Sequence, residues 1–353
     1  MNTRSVHSTR VKHLRPISPD EVRTMTVPRD GETRVGERVA VLAPGTPPTG
    51  RARIALLGVP EDVGVRANLG RPGARRMWRA FLPRFLNMQS NAFLDGAAIA
   101  VAGTVEVRDV RRATKGLDAT VGGPRSRAEA AEALRRATAE IDERVAAAVE
   151  GLRREGFVPV VVGGGHNNGY GVLAGCSAAL GGRAMGCVNV DLHADLRPAE
   201  GRHSGNPFTY ALERGHLGRY AVVGMSEAYA TQAIVEKVAG DPRIQAITLE
   251  SMLRSGTPPQ QAALAAAAHV GAGPATVELD LDAVAGAPAS AAAASGFTGA
   301  EFRAMATALV RALDVHAVHV AEGAPALGPW PADMLGKLCA EVVRDACAAI
   351  LSK

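Results

Sequence analysis

Short apolar runs of β type recur along this chain with helical stretches between many of them, and that alternation constrains its fold more than any other feature. The runs cover residues 53–58, 98–102, 158–162, 186–190, 220–223, 244–249, 276–281 and 315–320. Each is too short for a helix and is apolar along most of its length. A strand without in–out alternation is buried on both faces, which requires a parallel sheet covered by helices on each side. Residues 126–154 carry Glu and Arg on one face and Ala, Leu, Ile and Val on the other, as an amphipathic helix does. Residues 334–351 repeat that pattern and close the chain. No short-period repeat is present. With 353 residues, 47% of them hydrophobic, the chain can bury one large core. Aromatics are only 4% while Ala and Gly abound, which suits close helix-on-sheet packing. The expectation is one doubly wound α/β domain.

Residues 1–50 are rich in Arg, Pro, Thr and Gly and end in Pro44-Gly45-Thr46-Pro47-Pro48. They read as an N-terminal extension, either an arm or a lid; a loosely ordered terminus is the plainer alternative. Residues 63–75 read as a long Gly/Arg loop. The net charge of +5 is diffuse, with no Lys/Arg block, so nucleic acid is not an expected partner, whereas an anionic substrate is favoured. The four cysteines, Cys176, Cys187, Cys339 and Cys347, form neither a CxxC pair nor a disulfide framework. The opening Met1-Asn2-Thr3-Arg4 leads into polar sequence without the apolar core of a secretory signal, and no run is long enough to span a membrane. A soluble, cytoplasmic protein is expected.

In sheets of this kind function collects at the carboxyl ends of the strands. Three predicted strands end there in polar residues. The first runs into Gly163-Gly164-Gly165-His166-Asn167-Asn168, which by itself fits a structural His or a phosphate loop equally well. The second runs into Asp191-Leu192-His193-Ala194-Asp195. Side chains at i, i+2 and i+4 of an extended segment share a face, so Asp191, His193 and Asp195 converge. Three ionisable groups there are costly to bury unless paired or bound to a cation; salt bridges or a proton network are the alternatives. The third ends in Glu278-Leu279-Asp280-Leu281-Asp282, where Asp280 and Asp282 share a face and repel unless neutralised. Carboxylates and imidazoles without thiolates suit Mn²⁺ or similar ions, Ni²⁺, Co²⁺ and Zn²⁺ included.

These three motifs resemble those of the ureohydrolase superfamily (arginases, agmatinases and formimidoylglutamases) from about residue 53 to the C-terminus. The resemblance implies an arginase-type three-layer αβα domain over residues 51–353, with a parallel sheet of about eight strands. It also implies two Mn²⁺ ions, with Asp191 and Asp280 bridging them, His166 and Asp195 completing one site, and His193 and Asp282 the other. By the same resemblance Glu322, at the end of another predicted strand, holds the substrate's cationic nitrogen, and the protein assembles as a homo-oligomer.

Within the superfamily the chain departs from arginases. Gly165 stands where they carry Asp, Glu278 where they carry Ser, and Ala285-Gly286 where they carry Asp-Pro. The Gly-Gly-Gly-His turn, the segment Arg202-His203-Ser204-Gly205-Asn206-Pro207-Phe208 and the loop over residues 58–74 are instead similar to formimidoylglutamases. That subgroup's chemistry is hydrolysis of N-formimidoyl-L-glutamate to glutamate and formamide; a guanidino-acid hydrolase releasing urea and a non-catalytic homologue are the rival readings. A small anionic amidine or guanidino amino acid is the expected partner. Guanidinium forks match carboxylates, so Arg197, Arg202, Arg71 and Arg66 are candidates to grip it, with Asn68, Ser204 and Asn206 beside them. Asp195, Glu322 and His203 are the candidate catalytic groups. His203 stands one residue out of register with the arginase proton-shuttle His, a place that falls on Ser204.

Overall fold

A computed structural model describes residues 11–42 and 51–353. The proline-rich stretch 44–48 lies outside the described residues. Ten strands form one sheet: β1 (Leu14–Arg15), β2 (Ala40–Val41), β3 (Ile54–Gly58), β4 (Ile99–Val105), β5 (Val158–Val162), β6 (Met185–Val190), β7 (Leu217–Met225), β8 (Ile244–Thr248), β9 (Pro274–Asp280) and β10 (Asp314–Ala321). Their order is β1-β4-β3-β5-β10-β9-β6-β7-β8, with β2 also on β4. The eight strands from β3 to β10 pair in parallel. They match the eight expected, to which β1, antiparallel on β4, and the two-residue β2 are added.

The strands bury both faces, as continuous apolarity requires. Leu56, Val160, Val162, Val188 and Val190 face one apolar layer, while Leu57, Val161 and Cys187 face the other. In the second layer the 31-residue helix Pro124–Arg154 packs on helix Asn168–Ala179. Gly171 and Gly175 permit that approach: a Cβ on either would come within 2.8 Å and 2.5 Å of the carbonyls of Asp142 and Ala146. All four cysteines are free and buried.

Residues 11–42 run along the β4 edge, where helix Pro19–Met25 is closed by a reciprocal Ser18/Glu21 capping box. The expected loop over residues 63–75 in fact contains a short helix, Val63–Ala67. Its first N–H groups are satisfied by the Glu61 carboxylate, while Asp62 at the N-cap position makes no capping hydrogen bond of its own. Among the described residues no helix is long and apolar enough to cross a membrane.

Candidate active site

β5, β10, β9 and β6 lie side by side at the middle of the sheet. Val162 is opposite Val320, Ala321 opposite Asp280, and Leu279 opposite Val190. The residues that leave these four strand ends therefore meet: His166, Glu322, Asp280 with Asp282, and Asp191 with His193 and Asp195. Sheet order brings together what lies far apart in the chain.

The His166 loop is shaped by glycine and held by one carboxylate. Gly163 (φ +91°) and Gly164 (φ +77°) adopt backbone that other residues rarely reach. Buried Glu61 accepts from Gly165 N (2.9 Å) and Asn168 Nδ2 (2.7 Å) with Oε1, and from Val63 N (2.6 Å) and Gly64 N (3.2 Å) with Oε2. It thus ties this loop to helix Val63–Ala67. A Cβ on Gly165 would stand 2.7 Å from both Asn167 Oδ1 and Val65 Cγ2, so the Asp of the arginase pattern has no room here.

The two aspartate pairs use one local device. Asp191 Oδ1 accepts from His193 N (2.7 Å) and Asp280 Oδ1 from Asp282 N (2.8 Å). That leaves each Oδ2 turned towards His166 Nδ1, at 3.2 Å and 3.0 Å, with Asp195 Oδ2 at 3.0 Å. His193 Nδ1 lies 3.2 Å from Asp282 Oδ2 and 3.4 Å from Asp191 Oδ1. Two donor sets result, His166–Asp191–Asp280 and Asp191–His193–Asp282, sharing Asp191.

These residues fit a pair of cations. Neither ring nitrogen of His166 makes a hydrogen bond, nor does Asp282 Oδ1. Burial and then the charge of Asp280 push the Asp282 carboxyl well up, and burial and then Asp191 raise Asp195 to about 6. Carboxylates forced together away from water are stabilised by a cation between them. Their oxygen and imidazole donors are those of Mn²⁺-class ions.

Above the donors opens a cavity of about 230 Å³ lined by Asn68, His193, Asp195, Arg197, Ser204, Asp280, Asp282 and Glu322 among others. Glu322 adopts φ +62° and Asp195 φ +48°, conformations kept by non-glycine residues only where surroundings enforce them. For Glu322 the enforcement is visible. Its Oε1 accepts from His166 N (2.7 Å) and its Oε2 from Ser290 Oγ. Burial, then the charge of Asp280, raises its carboxyl to about 8. Asn68 Nδ2 donates to Ser204 Oγ (3.2 Å) on the wall, and the Tyr229 ring stacks on His193 at 5.7 Å between centroids.

The arginines separate. Arg197 lines the cavity and is exposed; among the described residues no hydrogen bond or ion pair holds its guanidinium. Arg202 is not at the cavity. It is buried, its Nε donating to Asp142 Oδ2 (2.7 Å), its NH1 to Asn206 Oδ1 (2.8 Å) and its NH2 to Asn167 O (3.2 Å), with Tyr170 and Tyr210 rings 4.6 Å away on either account. Its fork is saturated inside the protein. Asn206 is buried in the same knot and does not face the cavity. Arg71 donates to the carbonyls of Ser290 and Ala289, and Arg66 to those of Thr114 and Leu117, so neither presents a free fork. His203 is also displaced from the cavity. Its Nδ1 accepts from Gly205 N (3.1 Å), its Nε2 faces Glu200 Oε1 (3.3 Å), and burial with the charges of Arg135, Arg197 and Arg202 lowers its pKa to about 3.

Several contributors were missed. Asn189 Nδ2 donates to Asp191 Oδ2 (2.9 Å) and to Tyr220 Oη (3.1 Å), whose hydroxyl donates to Ala194 O (2.8 Å). Asn189 sits two residues before Asp191 on the same strand face, a signal available in the sequence. Ser290 lies in an Ala-rich loop and gave none.

The chain is similar to known proteins. A formimidoylglutamase of Nocardia farcinica is 34% identical over 218 residues, 60% of this chain and 59% of the relative. One of Klebsiella pneumoniae is 34% identical over 192 residues, 53% and 51% of the two chains. The match thus spans little more than half the length of these curated relatives. Among solved structures, Trypanosoma cruzi formiminoglutamase with Mn²⁺ superposes with a TM-score of 0.70 at 20% identity, over 92% of this chain and 100% of that one. Bacillus subtilis formimidoylglutamase gives 0.70 at 15% identity, over 93% and 95%. At such identities the likeness is one of fold. The sequence pattern of the Arginase family runs through residues 52–348, and the chain belongs to that family.

Proposed function

We propose that this protein hydrolyses N-formimidoyl-L-glutamate to L-glutamate and formamide with the help of two Mn²⁺ ions. The observation that carries the reading is the union, in one cavity, of four of the donors (His193, Asp195, Asp280 and Asp282), with His166 and Asp191 buried beneath them, and a free guanidinium, that of Arg197. An amidine that bears carboxylates needs both. Curated relatives named formimidoylglutamase support the choice within the family, and the trypanosomal relative's Mn²⁺ supports the metal. In this reading residues 51–353 are the catalytic domain and residues 1–50 an N-terminal extension.

His166, Asp191, Asp195 and Asp280 would hold one cation, and Asp191, His193, Asp280 and Asp282 the other. Such a pair supplies Lewis acidity and lowers the pKa of water. The protein's own groups do the rest. Arg197 receives a substrate carboxylate, with Ser204 and Asn68 offering neutral polar contacts beside it. Glu322 accepts an N–H of the amidinium and so orients the reacting carbon over the floor. Asp195 takes a proton from the attacking water and returns it to the glutamate nitrogen. The C–N bond to that nitrogen breaks, the electron pair staying with nitrogen, and the formimidoyl carbon leaves as formamide.

A substrate panel on Mn²⁺-loaded protein, with formamide, urea and ammonia read separately, tests this. Formamide from the glutamate derivative is expected. Urea from a guanidino acid would replace the proposal with a ureohydrolase, and no product from any substrate with the metal pair loaded would leave a non-catalytic homologue.

A further inference from the structure

Arg66 and Arg75, which flank the first long loop, face away from the catalytic cavity. Helix Val63–Ala67 divides two spaces: Val65 and Asn68 line the catalytic cavity, while Asp62 and Arg66 line a separate hollow of about 700 Å³. Six cations surround that hollow (Arg66, Arg75, Arg108, Arg111, Arg112 and Lys115) against two carboxylates, Asp62 and Asp118. Asp62 is buried and lies 3.5 Å from Arg75, and Arg66 is tied to backbone carbonyls. Among the described residues, no hydrogen bond or ion pair engages the side chains of Arg108, Arg111, Arg112 or Lys115. The nearby Asp109 does not relieve them, because Arg144 holds it bidentately at 2.7 and 2.6 Å.

Like charges held this close with so few counter-ions destabilise the folded chain. Arg111 registers this: it is half-buried, and burial followed by the charge of Arg75 lowers its pKa. A second hollow of about 530 Å³ adjoins the first, with Arg75, Arg108 and Arg111 common to both linings. It is cationic too, since Arg15, Arg76 and Arg79 line it beside the shared three, but it adds an apolar surface. Trp78, Leu82, Met25 and Ile17 supply an apolar floor, with Glu21 and Glu106 as its carboxylates. Trp78 is buried in the core and also lines the hollow. An arginine ridge therefore runs between two cationic hollows, only the second of which has an apolar floor.

We propose that this double hollow binds an organic phosphate, with an aromatic body on the Trp78 side and phosphate groups among Arg108, Arg111 and Arg112. Guanidinium forks match phosphate oxygens bidentately, and three unpaired forks on one short helix suit more than one phosphate. The site is independent of the catalytic reading, since it shares no lining residue with the catalytic cavity.

Calorimetry on the full chain with its metal present tests it, using adenosine 3′,5′-bisphosphate, inorganic phosphate and adenosine as probes. These bind divalent cations weakly enough to leave the catalytic centre loaded. The bisphosphate is expected to bind at near-physiological salt, more tightly than phosphate, while adenosine binds weakly. Arg108→Glu with Arg111→Glu should weaken the bisphosphate at least about tenfold and leave turnover of the amidine substrate unchanged. Arg154→Glu with Arg183→Glu alters the net charge equally at the amino ends of the strands and should leave binding intact. The proposal is overturned if the bisphosphate fails to bind, if it binds no better than phosphate, or if the remote pair weakens it as much. Failure of the amidine assay would leave this test unaffected.

Discussion

His319 Nδ1 lies 2.6 Å from Glu278 Oε2, and both side chains are fully buried directly behind the metal centre. The same Glu278 oxygen is 3.5 Å from His166 Nε2, the ring nitrogen turned away from the aspartates. A carboxylate behind a metal-binding His fixes its tautomer and raises its basicity. Here Glu278 stands where arginases carry Ser, and His319 supplies the charge that keeps the carboxylate's pKa down despite burial. Glu278→Gln is expected to lower metal affinity by about 10–100-fold. Chelator competition on the purified protein measures this without reference to turnover. Unchanged affinity would reduce Glu278 to core packing.

Arg197 and Arg202 differ by five positions and are expected to fail in opposite ways. Arg197→Ala should raise KM about 10–100-fold, the range of a lost charge-assisted hydrogen bond, with folding stability unchanged. Arg202→Met should leave KM near normal and destabilise the fold by about 3–5 kcal/mol, because Asp142 is left buried without its partner. Burial already raises Asp142 to about 6 even with Arg202 beside it. Without Arg202 its pKa rises further, so at pH 8 the variant must either bury an unpaired charge or take up a proton that the parent does not, whereas at pH 5 Asp142 is protonated in both. Urea unfolding at the two pH values should therefore show the smaller loss at pH 5.

That contrast marks where sequence reading ends. In the sequence the groups at positions 191, 193 and 195, and at 280 and 282, stood out by alternation at strand ends, but strand geometry does not extend through them: β6 stops at Val190, Asp195 has φ +48° and Leu281–Ala283 is a 3₁₀ turn. The eight parallel strands were legible because short, continuously apolar runs mark strands buried on both faces. Whether a loop arginine faces a cavity or a buried aspartate depends on a helix residue 60 positions away, and Asp142 carries no local mark of its partner. Asn206 and His203 went astray with Arg202, being part of the same buried knot. Ser290 was invisible because its only distinction is reaching Glu322 across the sheet end.

His203 is expected to matter to acid stability and not to the reaction. Its folded pKa of about 3 lies below the usual value of about 6.5. Between those values the unfolded chain binds the proton and the folded one does not, so stability rises with pH across that window and is lost as pH falls through it. His203→Asn keeps an acceptor for Gly205 N and removes the titration. Its kcat should match the parent from pH 7 to 9, and its acid unfolding midpoint should move to lower pH. A fall in kcat on that plateau would return His203 to the mechanism.

Gly165 offers the sharpest check on the departure from the arginase pattern. Its φ is ordinary, so any penalty on substitution is one of space alone. A Cβ there would press on Asn167 Oδ1 and on Val65 Cγ2, and Val65 lines the catalytic cavity. Overpacking of this kind costs about 1–3 kcal/mol. Gly165→Ala is therefore expected to lower the unfolding free energy by that amount, and Gly165→Asp by more, since its carboxylate would also be buried beside Glu61. Gly164→Ala carries the further burden of positive φ and a Cβ 2.2 Å from Asn168 Nδ2, so it should be the worse of the two alanine variants. Denaturant unfolding of the three proteins orders them. If Gly165→Asp were as stable as the parent, space would not be the reason this chain carries glycine beside its first metal-binding histidine.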